Sequence, residues 1–290
     1  MKNLADIKYR IKGISQTRQI TGAMETISIA KMRRAMQRFN GNQIYFHKVR
    51  DAVGRIIRHS QSVEHRYFKP KAGNRAIYVV IASDKGLAGG YNNNLLNFAW
   101  KRMQESDHAE RYIFTVGQMA REYFERRRAP IDVEFMHVTY NPSLGDAVRI
   151  VDTIVNLYEK NFMDEVYAVY TALENSSTMR PEILKLLPLE PTEIADGADK
   201  SEDYFRELYY DPSPEQVLEV LVPQYLTGII YGCLIQSVAA EHSSRVLAMS
   251  SARRNATGIL DRLNVVYNRA RQEAVTNEMI EIITSASSVQ

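Results

Sequence analysis

A chain of 290 residues with 45% hydrophobic and 24% charged side chains has the composition of a globular protein with one large core or two moderate ones. Its single cysteine, Cys233, excludes an intrachain disulfide and a cysteine-rich zinc site, and points to a reducing cytoplasm. Ala76 to Ala82, the longest unbroken apolar run, is far short of the roughly 20 residues of a membrane span. The start, M-K-N-L-A-D-I-K-Y-R, has no secretory h-region, and its Asp6 and periodicity argue against a transit peptide. The net charge of +3 conceals a split. Residues 1–58 carry 13 Lys+Arg against 3 acids and residues 215–290 carry 6 against 7, leaving the middle near −6. A basic first segment implies either an acidic partner or a solvated basic helix face.

No proline occurs before Pro70. Ile7, Ile11, Ile14, Ile20, Met24 and Ile27 begin an apolar stripe at helical steps, which continues through Met32, Met36, Phe39, Phe46, Val49, Val53 and Ile56. The stripe shifts phase near Ser15 to Arg18, and Gly41 weakens the helix, so an irregular coiled-coil strand is expected over residues 1–60. At about 1.5 Å per residue it would span roughly 80 Å.

From Arg75 the pattern becomes that of an α/β domain, expected over residues 75–210. Ala76 to Ser83 is an apolar, β-branched run suited to a buried parallel strand. A glycine-rich turn leads into a helix from about Asn93 to Glu105. Tyr112 to Val116 reads as a second strand, followed by a helix through Met119, Tyr123 and Phe124. Ile131 to Val138 reads as a third strand, and a helix follows around Val148, Ile150, Ile154, Leu157 and Tyr158. Val166 to Leu173 is a fourth strand, and Ile183 to Leu189 a candidate fifth. Alternating strands and helices predict a Rossmann-like, mostly parallel sheet covered on both faces.

Asp196 to Asp203 reads as a polar acidic loop. Tyr209 to Pro214 (Y-Y-D-P-S-P) stops the chain and starts a last helix, with Ser213 as N-cap and Pro214 at N1. The final segment, residues 213–290, has no proline after Pro223 and its pattern predicts helix to the C-terminus. Its clearest seam is Val246, Met249, Ala256, Leu260, Leu263, Tyr267, Ala270 and Ala274, with Arg253 at the one polar step. An antiparallel coiled coil of the two terminal segments is the economical arrangement. The longer second segment, roughly 110 Å if helical, would leave an unpaired tip.

Chemistry is sparse. Ser83 to Asn92 (S-D-K-G-L-A-G-G-Y-N) follows a strand and precedes a helix, as a phosphate-binding turn does. Gly86, Gly89 and Gly90 nevertheless match neither G-x-G-x-x-G nor G-x-x-x-x-G-K-[ST], which favours a structural tight turn built on Ser83, Asp84, the three glycines and Asn92. The six histidines are scattered without metal-ligand spacing, and no nucleophile–base constellation assembles locally. No cofactor and no catalytic residue is expected. Lys31, Arg33, Arg34 and Arg38 fit the phosphates of a nucleic acid or the acids of a protein surface, and the residues alone leave both open.

Three stretches together resemble one family. A-D-I-K-Y-R-I-K-G-I with Q-I-T-G-A-M-E-T-I-S-I-A-K-M-R-R-A resembles the N-terminal helix of the γ subunit of F-type ATP synthases. S-D-K-G-L-A-G-G-Y-N resembles that family's turn after the first strand, and N-V-V-Y-N-R-A-R-Q-E-A-V-T-N-E-M-I-E-I-I-T-S-A its C-terminal helix. The resemblance covers the whole chain. It implies a non-catalytic rotor subunit whose terminal helices turn inside a ring of three α and three β subunits. Its α/β domain would contact the ε subunit and the membrane-embedded c-ring, placing the chain at the cytoplasmic face of a bacterial plasma membrane. Nucleic acid is then not a partner.

Carried over by position, Arg271 and Gln272 match residues that bond to a β-subunit loop. Thr276, Glu278 and Glu281 match the polar positions of the same signature. Met24, Lys31, Met32, Arg33 and Arg34 match the first-helix segment, whose cations would face acidic levers on β. Tyr210 and Asp211 match the foot near the c-ring. Four positions depart from the family pattern: Gly22 stands where a basic residue is usual, Arg253 and Arg254 where acidic or neutral ones are, and Ser285, before Ala286, where Gly-Ala is common.

Overall fold

The computed structural model describes residues 4–59, 65–175, 178–197 and 210–287. In chain order these form α1 (Leu4–His59), β1 (Arg75–Ile81), α2 (Tyr91–Glu105), β2 (Glu110–Val116), α3 (Gln118–Arg126), β3 (Val133–Phe135), α4 (Leu144–Glu159), β4 (Glu165–Leu173), β5 (Met179–Leu187), α5 (Pro191–Gly197) and α6 (Pro214–Ser287). By packing the chain divides into two compact units, Ala30–Ser244 on one hand and Met1–Ile29 with Arg245–Gln290 on the other.

The larger unit is built on a five-stranded sheet of order β3-β2-β1-β4-β5. β1 pairs in parallel with β2 and β4, and β2 with β3, while β5 joins β4 antiparallel. The apolar run of β1 is explained by burial on both faces, since every residue from Ala76 to Ile81 is buried. Side-chain alternation divides the run. Ala76, Tyr78 and Val80 pack with Leu95 and Ala99 of α2 and Phe124 of α3. Ile77, Val79 and Ile81 pack with Ile150 and Ile154 of α4, Val53 and Ile56 of α1, and Leu226 and Ile230 of α6. The last part of α1 and the first part of α6 are therefore core helices of the sheet domain. Each fully buried Ile, Leu or Phe here contributes on the order of 2 kcal/mol.

That packing accounts for the apolar character of α6. By length and composition it passes as a membrane span, with a window of mean hydropathy 1.5, yet half of that window is buried within the protein. The Gln216 N–H donates to Ser213 Oγ at 3.3 Å, so Ser213 caps α6 with Pro214 in its first turn. α4 starts with a capping box, Asp146 N–H to Ser143 Oγ and Ser143 N–H to Asp146 Oδ2.

Several boundaries differ from expectation for identifiable reasons. β1 ends at Ile81 because the chain turns away at Ser83. β3 keeps only three residues of the expected Ile131 to Val138, and the chain enters the left-handed region at His137 (φ 61°). β5 begins earlier than Ile183 and tolerates Pro181 because it is an edge strand. Asp196 and Gly197 end a short helix instead of opening a loop; the rest of the expected acidic loop lies outside the described residues.

The smaller unit comprises the N-terminal part of α1 and the C-terminal part of α6. Glu25 meets Arg253, while Leu4 and Ile7 share a groove with residues 266–277, so positions pair at a nearly constant sum and the helices run antiparallel. The seam is thin, with Ile7, Met249, Ala256 and Leu260 as its buried apolar residues. Thr21 and Ser28 are also buried, and their hydroxyls donate to the carbonyls of Thr17 (3.0 Å) and Met24 (2.7 Å). From Thr276 to Thr284 every side chain is exposed.

Candidate functional site

The turn after β1 spends its polar groups internally. The Ser83 N–H donates to Asn92 Oδ1 at 3.1 Å, and the Ser83 hydroxyl lies 2.9 Å from the same oxygen and 2.7 Å from the Lys85 carbonyl. Asp84 Oδ1 accepts from the Gln118 N–H at 3.3 Å, at the start of α3. The N–H groups of Tyr91 and Asn94 donate to Ala88 and Gly90. These bonds tie the turn to its own flanking residues and to the start of α3, in keeping with a tight turn.

Its position explains the glycines. Gly89 has φ 58°, and the neighbouring crossover residue Gly117 has φ 90°, where an added Cβ would lie 2.4 Å from the Ala82 carbonyl oxygen. The turn also clamps α6. Tyr91 Oη donates to the Ser237 carbonyl at 3.1 Å and Ser244 Oγ to the Ala88 carbonyl at 2.6 Å, with Ala240 packed between Ala88 and Tyr91. At the tip Leu87 is held at φ 63° with 66% of its surface exposed. Sequence reading missed Leu87 because a leucine in a glycine-rich turn carries no signal of exposure.

Lys31 and Arg34 line a cleft of about 260 Å³ with Arg38, Tyr140, Asn141 and His242. Lys31 Nζ sits 4.0 Å from the centre of the Tyr140 ring, Lys85 Nζ lies 5.3 Å from it on a separate element, and Arg38 donates to Asn141 Oδ1 at 2.7 Å. Among the described residues that line this cleft, none is acidic. Met32 is half-buried and Arg33 exposed on the same helix. Arg38 was visible in the sequence as part of the basic cluster, but Tyr140 and Asn141 were not, because only the fold returns the loop after β3 to α1.

In the smaller unit, Gln272 and Thr276 line a groove of about 1120 Å³ with Leu4 and Ile7. Arg271, Glu278 and Glu281 are exposed on the same helix, and Met24 is half-buried on α1. The structure thus gathers the expected residues in two places, Lys31 and Arg34 in the larger unit and Gln272 and Thr276 in the smaller. Tyr210 packs against the main core, while Asp211 beside it is exposed.

Other polar clusters are structural in form. Arg75 clamps Asp164 through Nε at 2.9 Å and Nη2 at 3.1 Å, and these bonds hold the Asp164 carboxyl below its ordinary range. Burial pushes Glu165 up, but hydrogen bonds from Tyr167, Lys185 (2.9 Å) and His108 (2.8 Å) outweigh it and lower its pKa to about 2. Cys233 is fully buried, and burial pushes its thiol up to about 12, which leaves it inert. Among the described residues no group of three or more His, Cys, Asp or Glu side chains could hold a metal.

Among the described residues, then, the larger unit is a mostly parallel sheet domain with parts of α1 and α6 in its core, and the smaller unit is an antiparallel helix pair. A family model described as ATP synthase matches residues 3–289. The ATP synthase gamma chain of Alkaliphilus metalliredigens is 37% identical over 99% of both chains, and that of Ruminiclostridium cellulolyticum 39% identical over 99% of both. A chain of the Euglena gracilis mitochondrial ATP synthase (OSCP/F1/c-ring, rotational state 3) has the same fold, with a TM-score of 0.67 at 15% identity over 99% of this chain and 94% of that one. The chain belongs to the ATP synthase gamma-chain family. It is a non-catalytic stalk subunit acting within an ATP synthase complex, and the nucleic-acid reading of its basic segment finds no support among its relatives.

Proposed function

We propose that this chain transmits torque from a c-ring to the catalytic β subunits, in three functional segments: residues 1–60, 75–210 and 213–290. The observation that carries this reading is the contrast along α6. Its first part is a core helix of the sheet domain, while its last turns expose Val275, Met279, Ile280, Ile282 and Ile283 beside Glu278 and Glu281. An exposed apolar end of this extent suits a helix that turns within a sleeve supplied by α and β subunits.

In this reading Arg271, Gln272, Thr276, Glu278 and Glu281 contact the ring near the tip, and Met24 faces it from α1. Lys31, Met32, Arg33 and Arg34 meet acidic levers on β, with the acid-free cleft beside Tyr140 supporting the charge match. Asp211, exposed beside the anchored Tyr210, faces the ε subunit and c-ring. The turn from Ser83 to Asn92, including Gly86, Gly90 and Asn92, keeps the sheet domain in step with α6. The complex sits at the cytoplasmic face of a bacterial plasma membrane.

Charge reversal of Lys31, Arg33 and Arg34 to Glu tests the lever assignment. ATP-driven ion pumping by the reconstituted complex should fall several-fold relative to its ATPase, with the loss depending on ionic strength. Unchanged pumping at low salt would refute it.

A further inference from the structure

Arg253 occupies a polar step of α6 between the buried Met249 and Ala256, and the structure gives that exception a geometry. Gly22 of α1 lies directly opposite. A Cβ built on Gly22 would sit 3.5 Å from Arg253 Cδ and 3.8 Å from its Nη1, in ordinary van der Waals contact, so the arginine stem passes over Gly22 at a distance that a methyl would fill and a longer side chain would not fit without displacing it. Beyond Gly22 the guanidinium reaches Glu25, Nη1 to Oε2, at 3.4 Å.

The two partners are unequally placed. The Glu25 side chain is only 17% exposed and its Oε2 is shut off from water, whereas the Arg253 side chain is 53% exposed. Arg253 thus compensates a shielded carboxylate while keeping one edge in solvent. Close to it the buried side chains Thr21, Ser28 and Ala256 are small, and the larger Met249 and Leu260 lie further along the seam. A polar pairing at one step of a helix seam is a known way to fix the register of paired helices.

We infer that Gly22, Glu25 and Arg253 form a register pin for the antiparallel pair in the smaller unit. Sliding α6 by one turn, about 5.4 Å, would carry the arginine stem away from Gly22, the position without a side chain. The same slide would leave Glu25 shielded without its cation. The pin assigns Arg253 and Glu25 a positioning role: they hold α6 in phase with α1, so that residues nearer the tip keep fixed azimuths toward the ring. This rests on the torque-transmitting reading for its purpose, though not for its geometry.

Spin labels on Tyr9→Cys and Val265→Cys, both on exposed side chains of the pair, report the register in the full chain, with buried Cys233 left unlabelled. The unsubstituted pin should give one narrow distance. R253A should broaden or split it by several ångströms, G22L should do the same by displacing the stem, and the charge swap E25R/R253E should restore the narrow distribution. Restoration by the swap separates a pin from general destabilisation, which a second disruption would worsen. An unchanged narrow distance in both R253A and G22L overturns the inference, whatever the complex does. A shifted register with unaltered pumping by the reconstituted complex upholds the pin and counts against torque passing through this pair.

Discussion

The two units are held together by different means. In the larger one, both faces of the sheet are covered and side chains such as Phe124, Ile150 and Tyr158 are almost completely removed from water. In the smaller one, the buried apolar side chains Ile7, Met249, Ala256 and Leu260 share the seam with hydroxyls and the Glu25–Arg253 ion pair, and much apolar surface stays outside, including Tyr9, Ile20, Ile27, Val265 and Ile283. A helix pair with so little core gains little from burial alone and draws its order from continuity with the folded domain and from partners. On the proposed function, a sheet domain that holds its shape and a tip that turns within a sleeve have different needs, and the distribution of apolar surface fits them.

The largest expected effects lie in the sheet domain. Phe124→Ala should cost about 3–5 kcal/mol, because a closed core cannot collapse around the void. Trp100, whose ring lies 6.3 Å from that of Phe124, reports the transition in a urea titration. Leu260→Ala in the thin seam should cost less than half as much and leave the Trp100 midpoint nearly unmoved. Equal losses would show that the two units share one cooperative core.

Gly117→Ala comes next, at about 2–3 kcal/mol, since it combines a positive φ with a contact against the Ala82 carbonyl. A loss under about 0.5 kcal/mol would mean that the crossover relaxes freely. The acid limb is a gentler probe. Glu165 falls from its ordinary 4.5 to about 2 on folding, so its contribution is fully present above 4.5 and is lost as pH falls toward 2. In Glu165→Gln, stability measured from pH 6 to pH 2 should decline less than in the parent chain, and a parallel decline would remove Glu165 from the account. Smallest of all, deleting residues 276–290 should leave the Trp100 midpoint within about 0.5 kcal/mol while lowering the stability of the assembled complex.

Much of this contrast could be read from the residues. Two helix-period segments bracketing a β-branched, Gly-punctuated middle announced the architecture, and the run Ala76 to Ala82 announced a doubly covered strand. The role of α6 as a core helix was less visible, because an apolar stripe does not reveal whether it meets another helix or a sheet. Arg253 stood out as a polar step, but Gly22 gave no hint that this side chain passes over it. Tyr140 and Leu87 escaped notice because their placement depends on long-range chain return and on a left-handed backbone. Such features belong to tertiary geometry, which local periodicity does not encode.

Reconstitution of the chain with the α and β subunits of its own complex, followed by single-molecule observation of a probe on the sheet domain, tests the central claim most directly. The account predicts stoichiometric incorporation, no nucleotide turnover by the chain alone, and stepwise rotation of the probe driven by ATP. ATP hydrolysis by the isolated chain, or sustained turnover by the assembled complex with a stationary probe, would contradict it.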